Sequence, residues 1–163
     1  MNIIHFIQAG GTIDKDYLTG DNNRAYNFVI GDPAYRSISD RAEIPYPVGF
    51  TMACQKDSSD MDDQDRDTIR RIASEVAEDK IIITHGTDTL HITAKHLVDI
   101  SGKVIVLTGA LKPERLRDSD ADFNLGMAVG AIQCLPAGVY IALCGELKRW
   151  DEYIPRSPSI LPE

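Results

Sequence analysis

The sequence predicts an α/β fold: an open, doubly wound, mostly parallel sheet with helices on both faces, of flavodoxin-like or Rossmann-like layout. Two observations predict it. Short apolar runs bounded by turn residues recur along the chain, and stretches with helical period separate them. Strands alternating with helices pair in parallel through crossovers, and a sheet covered on both faces reads as continuous apolar runs. Strands are expected at 2–7, 50–54, 80–84, 103–108 and 139–143. A helix is expected over about 62–78, where Ile69, Ile72, Ala73, Val76 and Ala77 share one face and charges occupy the other. A second opens at Asp88, carries Leu90, Ala94, Leu97 and Val98 on one face, and stops near Gly102, a helix-ending glycine. A third, over about 120–135, is apolar on nearly all sides through Phe123, Leu125, Met127, Ala128, Val129 and Ile132. It is expected to pack from two directions and to close at Pro136.

The 163 residues correspond to one domain, 1–163, with 43% hydrophobic and 26% charged residues, an ordinary globular balance. The net charge of −8 argues against nucleic acid and anionic membrane as partners and favours small polar metabolites. Cys54, Cys134 and Cys144 are odd in number, well separated and without a CxxC pair, which suggests neither a disulfide framework nor a zinc site. His85, His91 and His96 lack ligand spacing, and His5 reads as a satisfied core histidine. The start MNIIHFIQAGGT has no basic leader and no membrane-length apolar run, so a cytoplasmic protein is expected. Residues 14–28 are polar and turn-rich, as in a mobile lid over a site. The tail after Trp150 holds three of the eight prolines and is expected to be irregular.

In open α/β sheets, ligands bind beyond the carboxyl ends of the strands, where helix N-termini and unbonded N–H groups converge. Five segments occupy those exits: 9–12 (AGGT), 56–61 (KDSSDM), 85–89 (HGTDT), 108–113 (TGALKP) and 144–148 (CGELK). Gly10-Gly11-Thr12 suits a tight turn, a phosphate cradle or an exposed nucleophilic hydroxyl, but GxGxxG and GxxxxGK[ST] are both absent. Ser58, Ser59 and Asp60 suit a helix N-cap or a carboxylate site, which use the same geometry. His85-Gly86-Thr87-Asp88-Thr89 is the densest polar cluster; beyond a cap, its hydroxyl beside a carboxylate could activate water or hold an ammonium group.

GGTID at 10–14, SSDM at 58–61 and HGTDT at 85–89, supported by TGALKP and DFNL (122–125), together resemble the bacterial-type asparaginase and glutaminase family. The likeness covers essentially the whole chain and corresponds to the family's N-terminal domain, as in a short member without the C-terminal domain. It implies hydrolysis of the side-chain amide of asparagine or a related small amide, with no metal or other cofactor. It implies Thr12 as nucleophile, forming an acyl-enzyme, with Tyr26 (or Tyr17) from the loop accepting its proton. Thr87 would be the second catalytic threonine and Asp88 would grip the substrate α-ammonium. Ser58 with Ser59 would take the α-carboxylate, Asp60 would shape that pocket, and Gly11 and Gly86 would line it. The resemblance also implies a dimer or tetramer of identical chains. One position departs: short members carry a lysine a few residues beyond the WD pair, and here Trp150-Asp151-Glu152-Tyr153-Ile154 runs into Pro155 and Arg156, with Lys148 before the pair. Proline carries neither proton nor charge, so Arg156 or Lys148 would have to substitute. Otherwise the chain would be a catalytically impaired protein that binds a small amino acid in a regulatory role.

Overall fold

The computed structural model describes residues 3–17, 28–45 and 47–155. Six strands form one sheet in the order β4 (Val48–Lys56), β1 (Ile4–Gly10), β5 (Lys80–Thr84), β6 (Val104–Thr108), β7 (Gly138–Leu143) and β8 (Glu146–Arg149). All pairings are parallel except β7 with β8, which a tight turn at Cys144 and Gly145 folds back antiparallel. β2 (Lys15–Tyr17) and β3 (Phe28–Ile30) form a separate antiparallel pair. The doubly wound parallel sheet expected from the sequence is present, with an antiparallel edge strand added.

Strand side chains alternate between two cores. Phe6, Ile82, Val106 and Ala142 face α1 (Ala34–Arg41) and α4 (Ala121–Ala131), where Tyr35, Ile38, Leu125 and Ala128 meet them. Ile7, Ile83, Leu107 and Ile141 face α2 (Asp63–Glu75) and α3 (Leu90–His96), against Ile69, Ala73, Leu90 and Ala94. The period of two along each strand thus serves both layers at once. The helices carry a further consequence. β5–α3–β6 and β6–α4–β7 advance in the same direction through opposite faces, so the second crossover has the opposite hand to the first. The β1–α1–β4 and β4–α2–β5 crossovers share the hand of β5–α3–β6, which leaves α4 as the exception to a strong chiral preference.

Several local expectations are corrected. α2 is capped by Asp62, not by Ser58–Asp60: the Asp62 carboxylate accepts from Asp65 N and the Asp65 carboxylate accepts from Asp62 N. Ser58–Asp60 instead form a short 3₁₀ turn of their own. α4 buries one face, against the sheet and α1, and leaves the other open, where Phe123 is 63% exposed, rather than being covered on nearly all sides. The stretch 14–28 is not wholly irregular, because its two ends pair as β2 and β3; residues 18–27 lie outside the described residues. Among the described residues no helix is long and apolar enough to cross a membrane.

Candidate active site

From β1 the chain crosses to β4 on one side, whereas from β5 it proceeds to β6 on the other, so the exits of β1 and β5 flank the point where winding reverses. Gly11 follows β1 with φ +84°, a left-handed conformation that favours glycine. A Cβ on Gly11 would lie 2.3 Å from Gly86 N, so the two backbones touch. A Cβ on Gly86 would in turn lie 2.6 Å from Ser58 Oγ. Small residues therefore let three exits close to backbone contact: that of β1 with Thr12, that of β4 with Ser58, and that of β5 with Thr87 and Asp88. Gly109, at the β6 exit, packs against the His85 carbonyl and the Thr87 methyl group.

The hydroxyls around this point divide into two groups. Thr84 Oγ1 donates to Asp14, Thr89 Oγ1 to the Ser58 carbonyl and Thr108 Oγ1 to the Ala142 carbonyl, while Thr93 Oγ1 meets His85 Nε2. Among the described residues, the hydroxyls of Thr12 and Thr87 make no such bond and are left for another partner. Asp88 is exposed and, among the described residues, in no ion pair. Ser58 is 3% exposed, whereas Ser59 and Asp60 face solvent. The α2 N-terminus, with Asp62, Asp63 and Asp65, is already occupied by acidic groups, so the Ser58 turn lies ahead of it rather than at it.

Two buried titratable groups stand behind the exits. His85 is fully buried; its Nδ1 lies 2.8 Å from Gly86 O and its Nε2 2.8 Å from Thr93 Oγ1. Burial pushes its pKa down to about 4, with the Arg66 guanidinium adding to the effect, so the ring is neutral at pH 7. With Gly86 O as acceptor, the proton sits on Nδ1, and Nε2 accepts from Thr93. This turns the Gly86 carbonyl toward the ring, and in a planar trans peptide the Thr87 N–H then points the other way. Asp14 is the second group, a buried carboxyl two residues after Thr12. Neither its burial nor its partners are signalled by GGTID; an aspartate preceding a polar stretch reads as surface.

The DFNL segment also has a structural role the sequence does not disclose. Asn124 donates to Gly109 O and accepts from Cys144 N, so it ties the β6 exit to the β7 exit. Asp120 accepts from the N–H groups of Leu111 and Lys112 and orders TGALKP. Tyr26 and Arg156 lie outside the described residues. Tyr17 is exposed and packs against Phe28 with the ring planes tilted by 34°. Lys148 stands opposite Ile141 on the exposed β8, and Pro155 is exposed. Cys54 donates to Ala9 O, and burial raises its thiol to about 11, a structural rather than a reactive cysteine. His5 is satisfied by Glu78 and Thr51, as expected.

The family model "Asparaginase, N-terminal" matches residues 3–150. The chain belongs to the asparaginase family. Its relatives include a component of the glutamyl-tRNA(Gln) amidotransferase of Methanococcus maripaludis, 31% identical over 88% of this chain and 35% of that protein. The glutaminase-asparaginase of Acinetobacter glutaminasificans is 27% identical over 78% of this chain and 41% of its own length. The thermostable L-asparaginase from Thermococcus kodakarensis superposes with a TM-score of 0.75 at 25% identity, over 91% of this chain and 46% of that one. A probable cytoplasmic L-asparaginase from Campylobacter jejuni shares the fold, with a TM-score of 0.71 at 22% identity over 93% of this chain and 47% of that one. This asparaginase-family chain spans less than half the length of these relatives, 35% for the amidotransferase component.

Proposed function

We propose that this asparaginase-family domain hydrolyses the side-chain amide of asparagine or a related small amide, with Thr12 as nucleophile. The observation that carries the reading is the pair of hydroxyls, Thr12 and Thr87, left without hydrogen bonds among the described residues at two exits in backbone contact. Thr12 Oγ attacks the amide carbon as its proton passes to Tyr26, the partner implied by the family resemblance. The C–N bond breaks, ammonia leaves with that proton, and an acyl-threonine ester remains. Water then attacks the ester, giving the carboxylate and restoring the hydroxyl; Thr87 orients this water. Asp88, exposed and without an ion pair among the described residues, takes the substrate α-ammonium. Ser58 takes the α-carboxylate, with Ser59 and Asp60 at the rim and Gly11 and Gly86 lining the floor. The protein works in the cytoplasm as a dimer or tetramer.

A second reading is a protein that binds a small amino acid without hydrolysing it, favoured by Pro155 where short members carry lysine. Ammonia release from Asn, Gln and related amides, with and without Thr12→Ala, separates the two. Turnover lost in the variant supports hydrolysis. Saturable aspartate binding without turnover in either protein selects the second reading.

A further inference from the structure

Asp14 joins four parts of the molecule. Its Oδ1 accepts from Ala34 N at 2.7 Å, the first residue of α1, whose cap position is Pro33 and supplies no side-chain acceptor. Its Oδ2 accepts from Gln8 Nε2 of β1 and Thr84 Oγ1 of β5, each at 3.1 Å. The same Gln8 nitrogen donates to Gly31 O at 2.9 Å, and Gly31 N donates to Asp14 O at 2.9 Å. Gly31 follows β3, so this ring of bonds holds the base of the β2–β3 pair on the exits of β1 and β5.

Every side-chain contact of Asp14 is a donation to the carboxyl, which fits the ionised form. A protonated Oδ2 needs an acceptor instead. The Thr84 hydroxyl can rotate to accept it, after which the neutral carboxyl accepts only weaker bonds from Gln8 Nε2 and Ala34 N, while Gly31 O keeps a second donor, Gln55 Nε2, at 2.8 Å. The carboxyl stays buried through this change. A carboxyl whose donors have loosened titrates higher still, so protonation favours the loosened state. The charged groups lining the cavity beside Asp14 are Lys15 and Asp16 on β2, Asp32, Arg36 and Asp40 about the start of α1, and Glu114 and Arg115 beyond β6. Glu114 repels the charge, although Arg41 pairs with it at 2.7 Å.

We infer that the Asp14 carboxyl is a proton-controlled clasp: ionised, it locks the start of α1 onto the β1 and β5 exits, and protonated, it loosens that hold. Burial raises its pKa to about 6, against the three hydrogen bonds that lower it, so the change falls just below neutral pH. Asp14 shares a 3₁₀ turn with Thr12 and is therefore a positioning residue for it; this link alone rests on the amidohydrolase reading.

The test is amide hydrogen exchange of the full chain from about pH 5 to about pH 8, corrected for intrinsic rates. Protection at Ala34, whose N–H donates to the carboxylate, is expected to fall by about tenfold on acidification, as a charge-assisted bond is weakened, while Gly31, bonded to the main-chain carbonyl, changes little. Asp14→Asn, which places a donor at the Oδ2 position, is expected to show the low protection at every pH. Thr84→Val removes one donor to the charged form and is expected to move the midpoint to higher pH. Flat wild-type protection, a retained step in Asp14→Asn, or an unmoved midpoint in Thr84→Val would overturn the clasp; should Asp14→Asn not fold, Thr84→Val decides. The acid limb of kcat is expected to follow the Thr84→Val midpoint. An exchange step without amide turnover at any pH sinks the hydrolysis reading and leaves the clasp standing. Turnover with flat exchange does the reverse.

Discussion

The exits of β1 and β5 touch through Gly11 and Gly86, yet they handle buried charge in opposite ways. At β1 the buried group is Asp14, pushed up to about 6 and saturated with donors; at β5 it is His85, pushed down to about 4. Each exit also presents a threonine hydroxyl with no hydrogen bond among the described residues, but only β5 adds an exposed carboxylate, Asp88. At these two exits the buried groups are tied into the scaffold and the exposed ones are left unbonded among the described residues, and two aspartates close to two threonines fall on opposite sides of that line.

The largest test of the division is kinetic. Thr12→Ala and Thr87→Ala are each expected to lower amide hydrolysis by about 10³-fold or more. Thr93→Ser and Thr108→Ser, at bonded hydroxyls, are expected to leave the rate nearly unchanged, as an ammonia-release assay would register. Comparable losses in both groups would remove the distinction.

The pH dependence of stability comes next. Asp14 titrates higher in the folded chain than its ordinary 3.8, so the stability it lends is complete below that value and is lost as pH rises through about 6. His85 titrates lower than its ordinary 6.5, so its contribution is present above that value and is lost as pH falls through about 4. The two contributions run in opposite directions over nearly the same window and are each on the order of 3 kcal/mol, so they largely cancel in the wild type. Asp14→Asn is expected to expose a slope rising with pH, and His85→Gln a slope falling with it. Urea denaturation across the acid range measures both.

Ligand binding should respond differently from folding. Asp88→Asn is expected to weaken aspartate binding by about 10–100-fold, the loss of one charge-assisted bond, with little change in melting temperature. Calorimetry beside thermal unfolding separates the two readouts. Gly86→Ala, whose new methyl group would press on the side chain and backbone nitrogen of Ser58, is expected to cost about 1–3 kcal/mol of stability, read by thermal unfolding.

Much of the scaffold is legible in the residues. β5 coincides with the apolar run 80–84, and α2 falls inside its amphipathic stretch. α1 is not, because Ala34, Tyr35 and Ile38 are its only buried positions and its cap comes from Asp14, twenty residues upstream of Ala34. β8 is invisible for another reason: Glu-Leu-Lys-Arg is exposed throughout and is a strand only because the turn after β7 presents it to an open edge. The α2 cap is ambiguous in the residues because Ser58, Ser59, Asp60 and Asp62 are all good caps, and only the closed box with Asp65 distinguishes Asp62.

Periodicity and short motifs are local properties of the chain, so the layered α/β fold, the order of the exits and the candidacy of Thr12, Ser58, Thr87 and Asp88 follow from the residues alone. Which hydroxyls are bonded, the burial of Asp14 and His85, and the direction in which each is shifted follow only from the folded chain. Hydrogen-bond partners and desolvation depend on what folds against a residue, and for Asp14 that means Gln8, Ala34 and Thr84, brought together only by the sheet and its crossovers.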